Sequence, residues 1–336
     1  MPRSQNDAEV VPDRWRARSP SRRRAAIGWL VIAPISVCAA SQPAQLQESS
    51  SLLLLAVGLT PFLGPLALVA VGIGLWQRRR LLTLVSAASA GVLLFSAVSG
   101  LGVPVRARPP AGMLPTLRLF SANVYYANPD IGRIAEEIAA SAPDLVALQE
   151  IDVDGAAGLR RSGALARFPY ATTEIRAGPV AIGLWSRFPI VDVRVQHVRE
   201  MPFLSGTIAL GARQLRVYNV HMVAPLGRDR VHWQAQLRWL EDELRDQHGP
   251  LVIAGDFNAT RYHSRFRRLL SDRLGDAHER SGRGWATTWP RDQWPLPPLM
   301  RLDHVLVSPD IGVRSVREGL GRGSDHRPII ADLVLS

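Results

Sequence analysis

The stretch LVIAGDFNAT, residues 251–260, sets a carboxylate and a carboxamide two positions apart at the end of an apolar run. The run is typical of a buried strand, and residues i and i+2 of an extended segment project to the same side. Asp256 and Asn258 are therefore expected to converge on one small object beyond the strand end. A plain polar turn is the alternative interpretation, because Asn and Asp are common turn residues.

Strand-like and helix-like patterns alternate around this stretch, from residue 116 to residue 336. Strands are predicted at 116–124, 144–151, 181–195, 206–222, 251–257, 301–308 and 327–335, and helices at 129–141, 229–247 and 264–270. Because several strands are adjacent in sequence, the pattern favours an α/β fold with two mixed, largely antiparallel sheets covered by helices over a purely parallel sheet.

Polar residues stand at or just beyond the ends of these strands. They are Asn123, Glu150, His221, Asp256, Asn258, Asp303, His304, Asp325 and His326. Any one of them has an ordinary explanation as a helix cap, a solvated turn or a structural histidine. Their recurrence at successive strand ends instead favours one shared site.

Seven ordered sequence blocks cover this part of the chain: SANV, LVALQEI, LWSRFPI, NVHM, IAGDFNAT, RLDHVLVS and GSDHRPI. In this order and spacing the chain resembles the endonuclease/exonuclease/phosphatase superfamily, the deoxyribonuclease-I-like metal-dependent phosphoesterases, over residues 116–336. The resemblance implies a four-layer α/β sandwich, in which two packed sheets are flanked by helices. It also implies that the site lies at one end of the sheets.

The resemblance further implies a metal site. Glu150 resembles the metal-binding glutamate of the family, Asn123 stands beside it, and Asp325 is expected to approach the metal. Hard oxygen ligands of this kind suit Mg²⁺ or Mn²⁺, which use few protein groups and keep water molecules for the phosphate.

The same resemblance implies catalytic roles for five residues. Asp256 would orient and deprotonate the attacking water, and Asn258 would hold a phosphoryl oxygen. His326 would stabilise charge on the phosphorane, with Asp303 to orient its ring, because a catalytic imidazole usually needs such a partner. His221 would contact the phosphate or protonate the leaving group.

Two features depart from the family pattern. Trp185 interrupts the block LSRFPI, a change that we interpret as core packing. We identify no basic or aromatic insertion of the kind that grips a DNA duplex, whereas segment 282–301 carries Trp285, Trp289 and Trp294 in a proline-rich loop. This loop is either an apolar lip for a lipid or aromatic group or an ordinary surface loop.

The composition excludes several kinds of site. The chain has 336 residues, one cysteine, Cys38, and no lysine, so that all 40 basic residues are arginine. This rules out a disulfide framework, a thiolate metal cluster, Schiff-base chemistry and a phosphate-loop lysine. The formal charge of +11 is concentrated in the first third of the chain, since residues 1–111 carry +8 and the remainder carries +3. A large nucleic-acid surface on the globular part is therefore disfavoured.

Three charge-free apolar runs lie before residue 106. The run 52–76 would form about 37 Å of helix, enough to cross a hydrocarbon core of about 30 Å. The run 81–105 is equally long, whereas 25–40 is marginal in length unless residues 41–44 extend it. About three transmembrane helices within residues 25–105 are therefore expected, with a cleaved signal peptide as the alternative for the first run.

Arginine placement predicts the orientation of these helices. Seven arginines lie in residues 1–24 and three at Arg78–Arg80, whereas the loop 41–51 contains none. Because positively charged loops stay in the cytoplasm, residues 1–24 are predicted to be a cytoplasmic tail. Residues 106–115 then form a short stiff linker, and residues 116–336 form the extracytoplasmic domain of a multi-pass membrane protein.

Three functions remain open from the sequence. The arrangement resembles the membrane phosphatases associated with glycopeptide resistance in actinobacteria, which implies a metal-dependent phosphoesterase acting on a lipid-linked or other phosphorylated envelope substrate. The first alternative is an exported nuclease acting on DNA or RNA, and the second is a non-catalytic module that binds phosphoglycans or phospholipids. The expected partners are the lipid bilayer and a phosphorylated small-molecule or lipid-linked substrate, with nucleic acid as second choice.

Overall fold

Twelve strands and nine helices make up the described part of the computed structural model, which covers residues 20–99, 116–270, 273–292 and 295–335. The strands are β1 Thr116–Asn123, β2 Leu145–Gln149, β3 Tyr170–Glu174, β4 Ile182–Ser186, β5 Ile190–Val198, β6 Met201–Leu210, β7 Arg213–His221, β8 Leu251–Asp256, β9 Gly275–Asp276, β10 Asp303–Val307, β11 Ile311–Glu318 and β12 Ile329–Leu335. The helices are α1 Pro20–Ser41, α2 Ser51–Gly58, α3 Thr60–Trp76, α4 Arg80–Ser99, α5 Ile131–Ser141, α6 Val153–Arg161, α7 Asp229–Glu243, α8 Ser264–Leu269 and α9 Ala277–Arg280.

The strands form two mixed sheets of six strands each. Sheet A has the order β11-β12-β1-β2-β4-β3, and sheet B has the order β5-β6-β7-β8-β10-β9. One neighbouring pair is parallel in each sheet, β1 with β2 and β7 with β8, and the other pairs are antiparallel. The sheets pack face to face through an apolar core that includes Leu119, Leu145, Val217, Val252 and Val305. Two mixed, largely antiparallel sheets were expected from the sequence, and this prediction is confirmed.

Helices cover the outer faces of both sheets. Helices α5 and α6 pack on sheet A through Ile134, Ile138 and Leu159. Helices α7 and α8 pack on sheet B through Trp233 and Phe266. Each helix buries one apolar stripe and leaves its polar face exposed, as amphipathic spacing requires. The four-layer α/β sandwich is therefore confirmed.

The two parallel pairs bring strand ends from both sheets to one edge of the sandwich. Strands β1 and β2 end side by side in sheet A, with Asn123 opposite Gln149. Strands β7 and β8 end side by side in sheet B, with His221 opposite Asp256. Strand β10 begins where β8 ends, so that Asp303 pairs with Asp256. The predicted site residues thus belong to one edge because of strand direction.

The N-terminal helices differ from the three predicted spans. Among the described residues, α4 alone is long and apolar enough to cross a membrane as a single helix. The run 52–76 breaks at Leu59 into α2 and α3, which are bent by 82° from one another. Ser50 caps α2, and Pro61 lies in the first turn of α3, where proline begins a helix readily. The described apolar part of α1, Ile27–Ser41, is shorter than a usual span. One spanning helix, or two if the bent pair is counted, replaces the expected three.

Helices α1, α3 and α4 form a bundle. Helices α1 and α4 run parallel, with Ser36 bonded to Ser89 and Gln42 bonded to Ser96. A short turn joins α3 to α4, so these two run antiparallel. Residues 1–19 and 100–115 lie outside the described residues, which includes most of the predicted tail and the whole predicted linker 106–115.

The bundle region is joined to the sandwich by apolar and ionic contacts. Leu54 of α2 is buried against the outer core of sheet B, and Tyr262 of the sandwich is buried in the core of the bundle. Glu48 forms an ion pair with Arg265 at 2.8 Å, and its backbone carbonyl accepts a hydrogen bond from Arg230. Helix α2 is consequently held against the sandwich.

Candidate active site

Asp256 and Asn258 lie in a tight turn after β8. The Oδ1 atom of Asp256 accepts a hydrogen bond from the backbone N–H of Asn258 at 2.8 Å, and the amide nitrogen of Asn258 donates to the carbonyl of Met222 at 2.8 Å. Gly255 has a φ of 140°, and a Cβ there would overlap the carbonyl oxygen of Val220. The polar turn was therefore the correct interpretation of the backbone, because β8 ends at Asp256 and Asn258 is left-handed instead of extended. Both side chains still line one cavity, and the second carboxylate oxygen of Asp256 meets Asn123 of the neighbouring sheet.

Asn123 links the carboxylates of the two sheets. Its amide nitrogen donates to Oε1 of Glu150 at 2.9 Å and to Oδ2 of Asp256 at 3.1 Å. Its amide oxygen accepts from the backbone N–H of Tyr125 at 3.0 Å, which fixes the orientation of the amide. Glu150 also accepts from the backbone N–H of Tyr126 at 3.2 Å. Asn123 thus presents a donor, and not its oxygen, to Glu150.

Three non-glycine residues at this edge have left-handed backbone conformations. They are Tyr125, Glu150 and Asn258, with φ angles of 60°, 56° and 46°. Such conformations are uncommon outside glycine and are enriched at functional sites, where the surrounding structure holds them in place. Strained backbone therefore coincides with the predicted site.

His326 is paired with Asp303. Its Nδ1 atom lies 2.7 Å from Oδ2 of Asp303, and its Nε2 atom lies 3.7 Å from Oδ2 of Asp256. Ser324 locks the segment before β12, since its hydroxyl accepts from the backbone N–H of His326 and donates to the carbonyl of Asn123. The imidazole is therefore oriented by one carboxylate and directed towards the other.

The next residue after Asp303 plays a different part. His304 points to the opposite face of β10, where its Nδ1 atom lies 2.6 Å from Oδ2 of Asp276 and its Nε2 atom donates to the carbonyl of Ala259. Adjacent residues of a strand face opposite sides. His304 is consequently a structural residue on the outer face of sheet B, where it contacts Phe257 and Phe266. It shares only the sequence block RLDHVLVS with Asp303.

His221 and Asp325 complete the cluster. The Nε2 atom of His221 lies 3.6 Å from Oε1 of Glu150 and 3.8 Å from Oδ2 of Asp256. Asp325 accepts a hydrogen bond from the indole nitrogen of Trp289 at 3.4 Å. His221 and Asp325 line one cavity with Glu150, Asp256, Asn258 and His326. Asn123 and Asp303 are hydrogen-bonded to members of this group, so the structure brings all eight predicted site residues together.

Burial sets unusual pKa values in this group. Burial raises the pKa of Asp256 to about 6 and also raises the pKa of Glu150. Burial opposes charge on His326, but Asp303 and Asp256 outweigh it and raise the pKa of His326 to about 10. Burial lowers the pKa of His221. At neutral pH one imidazole is therefore positively charged and the other is neutral.

The donor set fits a divalent cation. Four carboxyl groups, those of Glu150, Asp256, Asp303 and Asp325, meet two imidazoles in a largely buried cluster, and oxygen-rich sites of this kind suit hard cations. Asp256, Asp303 and His326 offer ligand atoms within 4.8 Å of one another, and Oδ1 of Asp303 is buried without a hydrogen-bond partner. Glu150 and Asp325 provide a second acidic pair on the same cavity.

Helix α2 contributes residues that the sequence interpretation assigned to a membrane span. Ser51, Leu54 and Leu55 line the same cavity as Asp256 and His326. The signal was present in the sequence, because serine at position 50 is a good helix cap and Thr60-Pro61 is a helix start. The continuous charge-free apolar run instead predicts a single helix over residues 52–76.

The tryptophans of segment 282–301 have different surroundings. Trp289 lines the cavity beside Asp325, whereas Trp285 is exposed on the surface. Trp294 lies outside the described residues. Trp185 is buried in the outer core of sheet A, as expected for a packing residue.

Comparisons with known proteins agree with this architecture. The model of the Endonuclease/Exonuclease/phosphatase family matches residues 120–326. No curated protein matches the chain. The fold is similar to that of an endonuclease/exonuclease/phosphatase from Beutenbergia cavernae, with 22% identity, a TM-score of 0.54, and coverage of 66% of this chain and 72% of the other.

Two similar structures contain nucleic acid. TDP2 from D. rerio, complexed with single strand DNA product, has 17% identity and a TM-score of 0.55, with coverage of 65% of this chain and 98% of the other. The 3′ phosphatase NExo from Neisseria, bound to product DNA hairpin, has 22% identity and a TM-score of 0.53, with coverage of 64% and 98%. These identities establish a likeness of fold.

Proposed function

Since the chain belongs to the endonuclease/exonuclease/phosphatase family, whose members are metal-dependent phosphoesterases and nucleases, we propose that it is a membrane-tethered phosphoesterase that hydrolyses a phosphate ester or pyrophosphate of a lipid-linked envelope substrate. The observation that carries the proposal is the position of α2. This helix belongs to the apolar N-terminal region and lines the cavity that holds Asp256 and His326. A likeness to the glycopeptide-resistance-associated membrane phosphatases is part of the same proposal.

In this proposal each catalytic residue of the cluster has its own role. Asp256 orients the attacking water and accepts its proton, and a pKa of about 6 brings this carboxylate close to the pH at which a general base works best. His326, held in its charged form beside Asp303, stabilises negative charge on the phosphoryl oxygens. Asn258 holds a phosphoryl oxygen, and neutral His221 contacts the phosphate or gives a proton to the leaving group.

Glu150 and Asp325 would hold the cation, with Asn123 keeping Glu150 in place through its amide nitrogen. Mg²⁺ and Mn²⁺ fit a set of carboxylate oxygens, and such an ion supplies positive charge next to the transferring phosphoryl group. Asp303 stays the partner of His326 in this assignment, since its Oδ2 atom is already bonded to the imidazole.

The helix directions support an outward-facing domain. Helices α1 and α4 run parallel, and α3 runs antiparallel to both. The start of α1, the end of α3 and the start of α4 therefore lie at the same end of the bundle. Arg22–Arg24 and Arg78–Arg80 belong to this end, which is far from α2. Basic segments favour the cytoplasmic side. Large apolar side chains on the outer surfaces of the bundle, such as Leu30, Leu84 and Phe95, suit contact with lipid.

We expect protease added to intact bacterial spheroplasts that carry the full chain to digest the sandwich and spare residues 1–24. The reason is that the arginine-rich end of the bundle should stay in the cytoplasm. An N-terminal and a C-terminal epitope tag, read on the same blot, report the two ends separately. Protection of the C-terminal tag in intact spheroplasts, with digestion after lysis, would reverse the orientation.

A nuclease is the second candidate, and the DNA-bound similar structures favour it. Against it stands the net charge of +3 on residues 112–336, which is small for a protein that neutralises many phosphates. The two candidates differ in salt response, because a duplex-binding surface releases counterions and loses affinity steeply as salt increases.

A substrate panel tests the proposal directly. We expect the full-length protein in detergent with Mg²⁺ to release phosphate from undecaprenyl pyrophosphate faster than it cleaves plasmid DNA or RNA. Sphingomyelin-like lipids are included in the panel as a lipid phosphodiester. The physical reason is that the site combines catalytic carboxylates with an apolar wall. Efficient cleavage of DNA with a steep salt dependence, and no release from the lipid, would establish the nuclease instead.

A further inference from the structure

The cavity at the catalytic cluster is lined by two chemically different groups of residues. Its volume is about 430 Å³, within the range of small-molecule sites. Asp256, Asn258 and His326 belong to its polar lining. The rest of the wall includes apolar side chains from three parts of the chain: Leu55 of α2, Leu226 after β7, and Met300 before β10.

Helix α2 is fixed in position beside this cavity. The carbonyl of Leu54 accepts a hydrogen bond from Nε2 of His263 at 2.9 Å, and Nδ1 of His263 accepts from the backbone N–H of Thr260 at 2.8 Å. Glu48 accepts from the hydroxyl of Ser264. These bonds tie α2 to the segment that directly follows Asn258. The distance between α2 and the catalytic turn is therefore set by short local contacts.

Leu54 and Leu55 have different surroundings on this helix. Leu54 is 2% exposed and packs in the core of the sandwich, whereas Leu55 is 46% exposed and faces the cavity. Leu226, which lines the same cavity, is also exposed, at 62%. Exposed leucines from two parts of the chain in one cavity leave apolar surface that a ligand can cover.

We propose that α2 is part of the substrate site and that Leu55, with Leu226 and Met300, binds the hydrocarbon chain of a lipid phosphate whose phosphate group lies at Asp256 and His326. The proposal rests on the proposed phosphoesterase function and names the residues that bind the hydrocarbon part of its substrate. Leu55 is then a residue that determines specificity for substrates with a long alkyl or prenyl chain.

The surroundings of the cavity favour a hydrocarbon chain over a sugar or a nucleotide. Residues 51–77 contain no charged side chain, so α2 and α3 offer no ionic partner to a polar substrate. A sugar or phosphodiester backbone against Leu55 would lose hydrogen bonds to water without replacement. A hydrocarbon chain gains from the same contact, because apolar surface on both partners is removed from water.

Two soluble phosphonates of different chain length test the proposal. Ethylphosphonate and octylphosphonate carry the same head group, and their affinities for the full-length protein with Mg²⁺ can be measured by calorimetry. The wild-type protein should bind octylphosphonate at least about tenfold more tightly, because filling an apolar pocket by even one methylene group changes affinity to this extent. Leu55→Gln should remove most of this difference and change ethylphosphonate affinity by a smaller factor.

Leu52→Gln is the matched control. Leu52 lies on the same helix and is 76% exposed, but it is absent from the cavity wall. This variant should keep the preference for octylphosphonate. Equal affinities of the wild-type protein for the two phosphonates, or equal loss of the preference in both variants, would overturn the proposal. Hydrolysis of a short soluble ester such as p-nitrophenyl phosphate tests the phosphoesterase function separately, because such an ester does not need the chain site.

Discussion

Exchange of Asp256 for asparagine is expected to lower the turnover of a phosphate ester by about 10² to 10⁴, the range for removal of a positioned general base. The variant should remain folded. Asparagine keeps the oxygen that accepts from the backbone N–H of Asn258, so the turn after β8 keeps its main hydrogen bond. The introduced amide nitrogen faces the donors of Asn123 and Asn258, at 3.1 Å and 3.3 Å from the present Oδ2 atom.

Thermal midpoints measured together with turnover separate the catalytic interpretation from the structural one. Two donors placed face to face cost about 1–3 kcal/mol, which lowers the midpoint without unfolding the protein. Asn258→Ala serves as the companion variant, with an expected loss of about 10² to 10³ if its amide contacts a phosphoryl oxygen. If Asp256 acts only in the turn, the asparagine variant will show a lower midpoint and full turnover per folded molecule, and the proposed mechanism fails.

Removal of divalent metal is expected to abolish hydrolysis while leaving the sandwich folded. The folded state is held by the core between the sheets, which includes Leu119, Val217 and Val252, and by helices on both outer faces, none of which depends on the cluster. A bound ion at a reacting phosphoryl group contributes several kcal/mol to transition-state stabilisation. Exhaustive chelation, followed by titration with Mg²⁺ or Mn²⁺, should show loss and then recovery of turnover.

A readout independent of turnover accompanies this experiment. An ion that binds only the folded state raises the thermal midpoint, and the rise should depend on Mg²⁺ concentration. Glu150→Gln should shift this dependence to higher concentrations, because it removes one charged ligand, whereas Glu136→Gln on the exposed face of α5 should leave it in place. Undiminished turnover after exhaustive chelation would contradict a metal-dependent reaction.

Much of the sandwich could be predicted from the sequence because its strands have recognisable local patterns of apolar and polar residues. Alternation and apolar runs located β1, β2, β8, β10 and β12, and recurrence of polar residues at strand ends pointed to a common edge. The predicted strands 181–195 and 206–222 each cover two strands of the structure, β4 with β5 and β6 with β7. The pairing of Asp303 with His326 followed from the family resemblance. Strand alternation alone would also have separated Asp303 from His304, since adjacent residues of β10 must face opposite sides.

The position of α2 could not be predicted in the same way. The hydropathy of residues 52–76 indicates that they are shielded from water. It does not indicate whether lipid or another part of the protein covers them. The burial of Leu54 depends on partners that lie about 200 residues away, such as His263. The orientation of the Asn123 amide also could not be predicted from the sequence, because it depends on the left-handed backbone conformation of Tyr125.

The contact between Glu48 and Arg265 joins residues that are 217 positions apart. Residues 42–59 therefore leave the ribosome long before the segment that receives them has been synthesised. Closing so long a loop costs little more than closing one of half the length, about 0.6 kcal/mol for each doubling, so the delay is set by the order of synthesis more than by chain entropy. Until β8 and α8 have folded, the leucines of α2 have no protein surface to cover them. Docking of α2 is accordingly a late event, and the cavity beside Asp256 acquires its apolar wall only after the sandwich has formed.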